Sequence, residues 1–239
     1  MNLFTTNVTN KTNDTNKKTT EYTEDTENKN SVNSVPSVVK GLLSPTVFVL
    51  ASPSAAGKTT LCYAAVKRDK NIWYSVSATT RAKRPYEKSG REYYFLTNAE
   101  FDKKLKQGEL LESTKIYDAR YGTPKSPIIN KLNLGKDVIL DLDIVGVKAL
   151  KQLYPHTVGI YIIPPSMNEL WFRLKNRSKS RSDHLKERFS KANEEMRKIF
   201  RNIKSPKPFI NYVIINKDLN KAVDDLLAII RAERLRVAR

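Results

Sequence analysis

An unbroken apolar run that ends in a Ser-Pro-Ser turn and a Gly-Lys-Thr sequence constrains the fold of this chain more than any other feature. Residues 46–51 read TVFVLA, which is typical of a strand buried on both of its faces. Residues 52–54 form the turn, and a helix is predicted at 57–67. A buried strand that enters a helix through a short polar turn favours a parallel sheet with covering helices.

The rest of the chain continues this alternation of strands and helices. Further strands are predicted at 72–76, 93–96, 138–142, 158–163 and 212–215, and helices at 98–108, from 168, at 183–203 and from 219. Asn98 is predicted to be the N-cap of the helix at 98–108. The pattern favours an α/β fold whose parallel sheet is covered by helices on both faces. Residues 77–136 interrupt it: 77–90 is loop-like, and the whole stretch is predicted to form an inserted lobe.

Residues 1–40 differ in composition from the remainder and are predicted to be a disordered low-complexity tail. They are rich in Asn, Thr, Ser, Lys and Glu and have almost no branched apolar residues before Val32. They lack the apolar core of a secretory signal and the arginines of a mitochondrial transit peptide. Their five lysines and five acidic residues cancel, so the formal net charge of +18 falls on the predicted folded domain, residues 41–239. Such a surface indicates either an anionic ligand or well-solvated lysines.

Composition narrows the class of protein. The longest apolar runs fall far short of the roughly 18 residues that a membrane-spanning helix needs, so no contact with a membrane is expected. Cys62 is the only cysteine, which excludes an intrachain disulfide and fits a reducing compartment, and a cytoplasmic location is predicted. The chain has no recognised nucleic-acid-binding module, so nucleic acid is not an expected partner. We expect a monomer or a small homo-oligomer that binds small molecules.

Residues 52–59, SPSAAGKT, have the spacing of a phosphate-binding loop and lie between a predicted strand and helix, as that motif requires. Backbone N–H groups of such a loop can hold phosphate oxygens, Lys58 can reach the β and γ phosphates, and the Thr59 hydroxyl can coordinate Mg²⁺ directly. The usual motif opens with Gly where this chain has Ser52. The alternative interpretation is a strand-to-helix turn that contains Gly-Lys-Thr by chance. The predicted ATP-binding residues of the loop are Ser52, Pro53, Ser54, Ala55, Ala56, Gly57, Lys58, Thr59 and Thr60.

A second anion site is predicted in the polar stretch that follows residue 76. Arg81 and Arg84 lie three residues apart there, and Tyr93 follows in the next predicted strand. Two guanidinium forks can hold one phosphate through charge-assisted hydrogen bonds, and a tyrosine hydroxyl can complete the set. The alternative interpretation is an exposed basic loop without a ligand.

Residues 75–93 resemble the signature of the guanylate kinase family, Ser-Val-Ser-x-Thr-Thr-Arg-x-x-Arg-x-x-Glu-x-x-Gly-x-x-Tyr, and keep each of its fixed positions. The resemblance extends from about Leu43 to Ile230. It implies a P-loop enzyme that transfers the terminal phosphoryl group of ATP in line to GMP with Mg²⁺, giving ADP and GDP. It also implies that the inserted lobe at 77–136 binds GMP and that residues 171–202 form a helical lid. Ala55 stands where many members of the family have Gly.

The resemblance further implies which residues hold GMP. Those matched to guanine contacts are Ser77, Glu112, Thr123 and Asp143, and those matched to phosphate contacts are Arg81, Arg84, Tyr93 and Tyr121. The chemistry agrees, because guanine presents N1–H and N2–H₂ donors that a carboxylate accepts, whereas adenine has an unprotonated N1 at that edge. Taken alone, Glu112 would be read as a solvated carboxylate at a helix end and residues 121–123 as an ordinary turn.

The family's lid carries two arginines that match Arg177 and Arg188, which stand eleven residues apart among other basic residues. Phosphoryl transfer depends on positioning and positive charge more than on acid–base chemistry. The predicted catalytic residues are Lys58, Arg81, Arg84, Arg177 and Arg188. Water must be kept away from ATP, which gives a lid its physical purpose.

Two further residues are assigned around the donor nucleotide. Asn216 matches a family position near the adenine of ATP. Asp141, at the end of its predicted strand, is expected to orient Mg²⁺ through water. The alternative role for Asp141 is a strand-end carboxylate that caps a helix.

Two other functions fit parts of the sequence. A binding module of the same family that has lost catalysis and holds peptides in its GMP groove would agree with the altered loop at Ser52 and Ala55. The retained Lys58 and the acceptor and lid arginines argue against it. A kinase for another phosphorylated acceptor is disfavoured by Glu112 and Thr123, which match residues that read guanine.

Overall fold

The computed structural model describes residues 45–116, 118–177 and 185–236, except for the side chains of Ile116 and Arg177. The predicted tail at 1–40 and the predicted lid residues 178–184 lie outside the described residues. Within the described part of the chain, no helix is both long enough and apolar enough to cross a membrane.

A five-stranded parallel sheet forms the centre of the fold, and its middle strand is the apolar run that opens the motif. The strands are β1 (Val47–Ala51), β2 (Ile72–Tyr74), β7 (Asp137–Asp141), β8 (Val158–Ile163) and β9 (Tyr212–Ile215), and they lie in the order β2-β7-β1-β8-β9. On β1, Leu50 lies opposite Asp141 of β7 and Ile160 of β8. The predicted parallel α/β fold is confirmed.

Helices pack on both faces of this sheet. The helices of the described part of the chain are α1 (Lys58–Arg68), α2 (Asn98–Lys106), α3 (Lys125–Asn133), α4 (Ile144–Leu153), α5 (Met167–Arg177), α6 (Leu185–Ile203) and α7 (Leu219–Arg234). Phe48 and Leu50 of β1 are buried in one cluster with Leu61 of α1 and Leu226 of α7. Val49 points to the opposite face and is also fully buried, and α4 packs against β1 there.

A second, smaller sheet lies between β2 and β7 along the chain. Its strands are β3 (Ala78–Thr79), β4 (Tyr94–Phe95), β5 (Leu110–Ile116) and β6 (Ala119–Pro124), in the order β4-β3-β6-β5. Strand β6 runs antiparallel to both of its neighbours, whereas β3 and β4 are parallel. The hydroxyl of Tyr63 on α1 donates to the carbonyl of Arg91, 3.0 Å away, and ties the loop before β4 to the first helix.

Several elements of the structure are not predicted from the sequence. Strands β5 and β6 read LLESTKI and ARYGTP, and their polar residues break the apolar alternation that marks a strand. Strand β3 covers only two residues within the stretch expected to be a loop. Helix α4 begins three residues after β7 ends, and only Leu142 and Asp143 separate the two elements.

The predicted N-cap of α2 is wrong by one residue, because Thr97 rather than Asn98 occupies that position. The Thr97 hydroxyl accepts a hydrogen bond from the Glu100 N–H at 3.2 Å, and the Glu100 carboxylate accepts one from the Thr97 N–H at 2.7 Å. This reciprocal pair satisfies two backbone donors at the start of the helix. Both Thr and Asn can cap a helix, and only Thr97 has a Glu three residues later.

Arg234, the last residue of α7, ties the C-terminal helix to the sheet. Its guanidinium donates to Asp137 at the start of β7, at 2.6 Å, and to Asp69 just after α1, at 2.7 Å. Asp137 is almost fully buried and also accepts from the backbone N–H of Thr46. Burial alone would raise the pKa of Asp69, but hydrogen bonds from Arg234 and from the Asn71 N–H hold that pKa below its usual value.

We predict that Arg234→Met lowers the free energy of unfolding by about 2 kcal/mol near pH 7, because Asp137 stays buried without its cation. Urea denaturation measures this loss. The matched control is Arg231→Met, which replaces an exposed arginine on the same helix and should stay within about 0.5 kcal/mol of the parent. The difference in unfolding free energy between the parent and Arg234→Met should shrink as the pH falls below about 4 and through the lowered pKa of Asp69. The Asp69 carboxylate then takes up a proton and loses its attraction to Arg234. Equal losses in both variants would contradict the prediction.

Candidate active site

The phosphate-binding loop joins β1 to α1 and takes two left-handed backbone conformations. Gly57, the N-cap of α1, has φ 92°, and Ala55 has φ 69°. Gly57 caps the helix without a side-chain hydrogen bond, and the first turn of α1 carries no acidic residue. The N–H groups at the start of α1 are therefore directed to the mouth of the loop, where they can hold an anion.

Asp141 joins the loop to the neighbouring strand. Its carboxylate accepts a hydrogen bond from the Thr59 hydroxyl at 2.6 Å and forms an ion pair with Lys58 at 2.5 Å. The Lys58 ammonium also donates to the carbonyl of Leu142. A hydroxyl and a carboxylate held this close are hard oxygen donors, the kind of ligand that Mg²⁺ prefers.

The alternative role considered for Asp141, capping a helix, is wrong. The cap of α4 is Asp143, whose carboxylate accepts a hydrogen bond from the Gly146 N–H at 2.7 Å. Asp143 was assigned to guanine, and one of its oxygens is engaged in this cap. The cap fixes the orientation of the carboxylate and leaves its second oxygen for another partner.

Asn216, just after β9, supports the loop from behind. Its side-chain amide donates to the carbonyl of Ala56 at 2.8 Å and is almost fully buried. A Cβ on Gly57 would collide with the same amide. Asn216 also borders a cavity of about 620 Å³. The residues lining this cavity are Ser52, Pro53, Ser54, Ala55, Gly57, Lys58, Thr59, Thr60, Arg173, Asn216, Lys217 and Leu219.

Glu87 organises the two arginines of the second anion site. One carboxylate oxygen accepts from the Arg81 guanidinium at 2.7 Å, and the other accepts from the backbone N–H of Arg84 at 2.9 Å. Glu87 is only 5% exposed, and although burial would raise its pKa, these hydrogen bonds hold the pKa below its usual value. An ionised, buried carboxylate thus holds both residues in place.

Aromatic rings surround Arg81. Its guanidinium lies 5.5 Å from the ring centre of Tyr93 and 5.6 Å from that of Phe95, and the Tyr121 ring meets the Tyr93 ring edge-on at 5.8 Å. Burial raises the pKa of Tyr93 to about 12, with a smaller contribution from the charge of Asp141. Tyr93 is therefore a neutral hydroxyl that can donate to an anion.

Glu112 and Thr123 face each other across β5 and β6. The Thr123 hydroxyl, fully buried, donates to the Glu112 carboxylate at 2.6 Å. Glu112 is half-buried on strand β5, so it is not a solvated carboxylate at a helix end. Residues 121–123 belong to strand β6, so they do not form an ordinary turn. Burial raises the pKa of Glu112, the nearby charge of Asp143 raises it further, and the hydrogen bond from Thr123 opposes both. Ser77 is half-buried just before β3.

Helix α6 brings one of the predicted lid arginines to the loop. The Arg188 guanidinium donates to the Ser54 hydroxyl at 2.9 Å. The side chain of the other, Arg177, lies outside the described residues. Arg173, one helical turn before Arg177, donates to the backbone carbonyl of Asn216 at 3.1 Å and borders the cavity.

Sequence reasoning missed two functional residues of this site. Glu87 is a fixed position of the signature, but roles were predicted there only for Ser77, Arg81, Arg84 and Tyr93. Arg173 was counted among the unspecific basic residues of the lid, although its spacing of four residues from Arg177 places both on one helical face.

The geometry has counterparts among known proteins. A family model described as guanylate kinase matches residues 44–233. A guanylate kinase from Caldanaerobacter subterraneus subsp. tengcongensis is 39% identical over 193 residues, which cover 81% of this chain and 90% of the relative. One from Clostridium tetani is 40% identical over 200 residues, which cover 84% of this chain and 90% of the relative. The crystal structure of guanylate kinase from Anaplasma phagocytophilum is similar with a TM-score of 0.65 and 30% identity, and the match covers 81% of this chain and 88% of that one.

We predict that Gly57→Ala costs about 2 to 3 kcal/mol of unfolding free energy, because the new Cβ adds a collision with Asn216 to the strain of a positive φ. Gly108→Ala is the matched control: its φ is +65°, and nothing lies within 4 Å of the added Cβ, so we expect a loss of about 1 kcal/mol. Chemical denaturation compares the two variants. Equal losses would show that Asn216 does not press on the loop.

Proposed function

The chain belongs to the guanylate kinase family and has the activity of that family, and we propose that its phosphate loop holds ATP while the second sheet holds GMP. The reaction moves the terminal phosphoryl group of ATP to GMP and gives ADP and GDP. The observation that carries this assignment is the contact of Asp141 with both Lys58 and Thr59, because it builds a phosphate and Mg²⁺ site at the end of β7.

On the donor side, we assign the phosphates of ATP to the backbone N–H groups of the loop and to Lys58. Thr59 would hold Mg²⁺ directly, and Asp141 would hold it through water. When bound, the metal neutralises negative charge on the β and γ phosphates. Asn216 and Arg173 line the same cavity as the loop, and we assign the adenine and ribose to their part of it.

On the acceptor side, Arg81 and Arg84 receive the phosphate of GMP, with the hydroxyls of Tyr93 and Tyr121 completing the set. Glu87 touches no substrate in this assignment and acts as a positioning residue. Because Glu87 already holds the Arg81 guanidinium and the Arg84 backbone, less order is lost when the phosphate binds.

The guanine base is read by Glu112, Thr123, Ser77 and Asp143. An ionised Glu112 accepts from the N1–H and N2–H₂ groups of guanine, and the hydroxyls face its O6. Adenine would turn a lone pair toward the same carboxylate, and leaving such buried groups unpaired produces strong discrimination.

During transfer, Lys58 and the lid arginines Arg177 and Arg188 stabilise the charge on the moving phosphoryl group, and Arg81 and Arg84 aim the acceptor along the line of attack. No covalent intermediate on the enzyme is needed. Helices α5 and α6 help to exclude water, which would otherwise hydrolyse ATP.

The remaining expectations stay predictions. They are a cytoplasmic location, a monomer or small homo-oligomer, small-molecule substrates without nucleic acid, and a division into a tail at 1–40 and a kinase domain at 41–239. The bounds of the GMP-binding lobe, 77–136, and of the lid, 171–202, belong with them.

The assignment predicts that ADP forms from ATP and Mg²⁺ rapidly with GMP, and far more slowly with AMP, CMP or UMP. Lys58→Ala should lower kcat about 100- to 1000-fold, because one preorganised cation is lost at the transferred group. Lys67→Ala, an exposed lysine on the same helix, is the control that keeps the parent rate. If the folded protein formed no ADP with any of the four acceptors, that result would favour the non-catalytic binding module.

The role of Glu112 predicts a shift in the pH dependence of GMP binding. GMP needs the ionised carboxylate, so affinity falls as the pH drops through the raised pKa of Glu112. Thr123→Val removes the hydrogen bond that lowers this pKa, so the acid limb should move to higher pH. Calorimetric titrations between about pH 4 and pH 8 measure the limb, and the ionisation of GMP itself is common to both proteins.

Glu112→Gln provides the control for this titration, because its neutral amide has no acid limb. It should also weaken the preference for GMP over AMP. An acid limb that stays in place in Thr123→Val, or that is as large in Glu112→Gln as in the parent, would contradict the assignment.

A further inference from the structure

Three consecutive residues of the phosphate loop touch helices α5 and α6 or their neighbours. The Ser54 hydroxyl accepts a hydrogen bond from Arg188 of α6. The carbonyl of Ala56 accepts one from the side-chain amide of Asn216, and the guanidinium of Arg173 of α5 lies 3.5 Å from the same carbonyl. Between them, Ala55 packs against an apolar cluster that belongs to α5 and α6. Because Ala has no other side-chain atom, this contact is made by its methyl group.

The backbone of Ala55 is strained. Among the described residues it alone has a positive φ without being glycine, at 69°. Alanine in this region costs stability that glycine would not, and such conformations persist only where the surroundings enforce them. The strain therefore has to be offset by a contact that glycine could not make.

The apolar cluster supplies that contact. Leu170 and Leu174 of α5 and Ala192 of α6 are buried at its centre, and they hold the two helices together. Phe189 of α6 packs against the cluster and meets the Trp171 ring edge-on at 5.1 Å. The cluster is separate from the main core between the sheet, α1 and α7, so Ala55 is an apolar link between it and the loop.

We propose that the methyl group of Ala55 is a positioning group that anchors α6 to the phosphate loop and so keeps Arg188 beside it. The contact is made between residues of the chain alone. A helix that is already docked loses less freedom when ATP binds, so the methyl group favours ATP binding at a distance from the phosphates. This consequence for ATP rests on the proposed function, whereas the anchoring itself does not.

Hydrogen exchange on the protein without nucleotide tests the anchoring. In Ala55→Gly, the amides of Leu185–Ile203 should exchange about two- to fourfold faster, since a buried methyl group contributes up to about a fourfold factor in equilibrium constant. Amides of α1 and α7 should keep the parent rates. Ala228→Gly, which removes an exposed methyl group from α7, is the matched control and should leave α6 unchanged.

Unchanged exchange in α6 of Ala55→Gly would overturn the proposal. Slower exchange would overturn it as well, because relief of backbone strain would then outweigh the lost contact. Ser54→Ala keeps the methyl group and removes only the hydrogen bond to Arg188. Ser54→Ala should therefore accelerate exchange in α6 independently of Ala55→Gly, and the double variant should show both accelerations.

Measurements of nucleotide affinity distinguish a positioning role of Ala55 from a general effect on the stability of the protein. Ala55→Gly should raise the dissociation constant for ATP about two- to fourfold and leave that for GMP unchanged, while Ala55→Ser, which keeps a Cβ at the same place, should restore most of the ATP affinity. An equal loss for both nucleotides would contradict the role. If the parent bound no ATP, the proposed function would fail, but the exchange experiment would still decide the anchoring.

Discussion

The parallel pairing of β1 with β7 brings the Asp141 carboxylate beside the phosphate loop, and the rest of the site depends on this contact. Leu50 lies opposite Asp141, so the strand that leads into the loop and the strand that ends in the carboxylate finish at the same edge of the sheet. The carboxylate then meets Lys58 and Thr59. The charge of the lysine is thereby balanced, and its side chain is held at the edge where phosphate would arrive.

Each of the two predicted anion sites is held in place by a residue that we do not assign to the phosphate itself. Asn216 holds the loop through Ala56, and Glu87 holds Arg81 and Arg84. Preorganised donors lose little freedom on binding and stabilise developing charge without rearrangement. The folded part of the chain can therefore be strongly basic while the guanidinium of Arg81 is fixed in direction by Glu87.

Most of the central sheet is predictable from the sequence, because β1, β7 and β8 are buried on both faces and leave unbroken apolar runs. The strands β5 and β6 are not, since they give up apolar alternation to carry Glu112 and Thr123 toward the site. The signature residues could be matched one by one to expected roles. The support that Asn216 gives to Ala56 could not be predicted, because it is a long-range contact that no local pattern encodes. The cap formed by Asp143 is local, but the sequence assigned this residue to guanine alone.

The central claim is that the loop at Lys58 and the arginine pair at Arg81 and Arg84 hold donor and acceptor together for one direct transfer. The stereochemical course at phosphorus tests it most directly. ATP whose γ-phosphoryl group is made chiral with oxygen isotopes would be reacted with GMP, and the configuration of the β-phosphoryl group of the resulting GDP would be determined. A single in-line transfer predicts inversion. Retention would show two successive transfers through a group on the enzyme and would contradict the account.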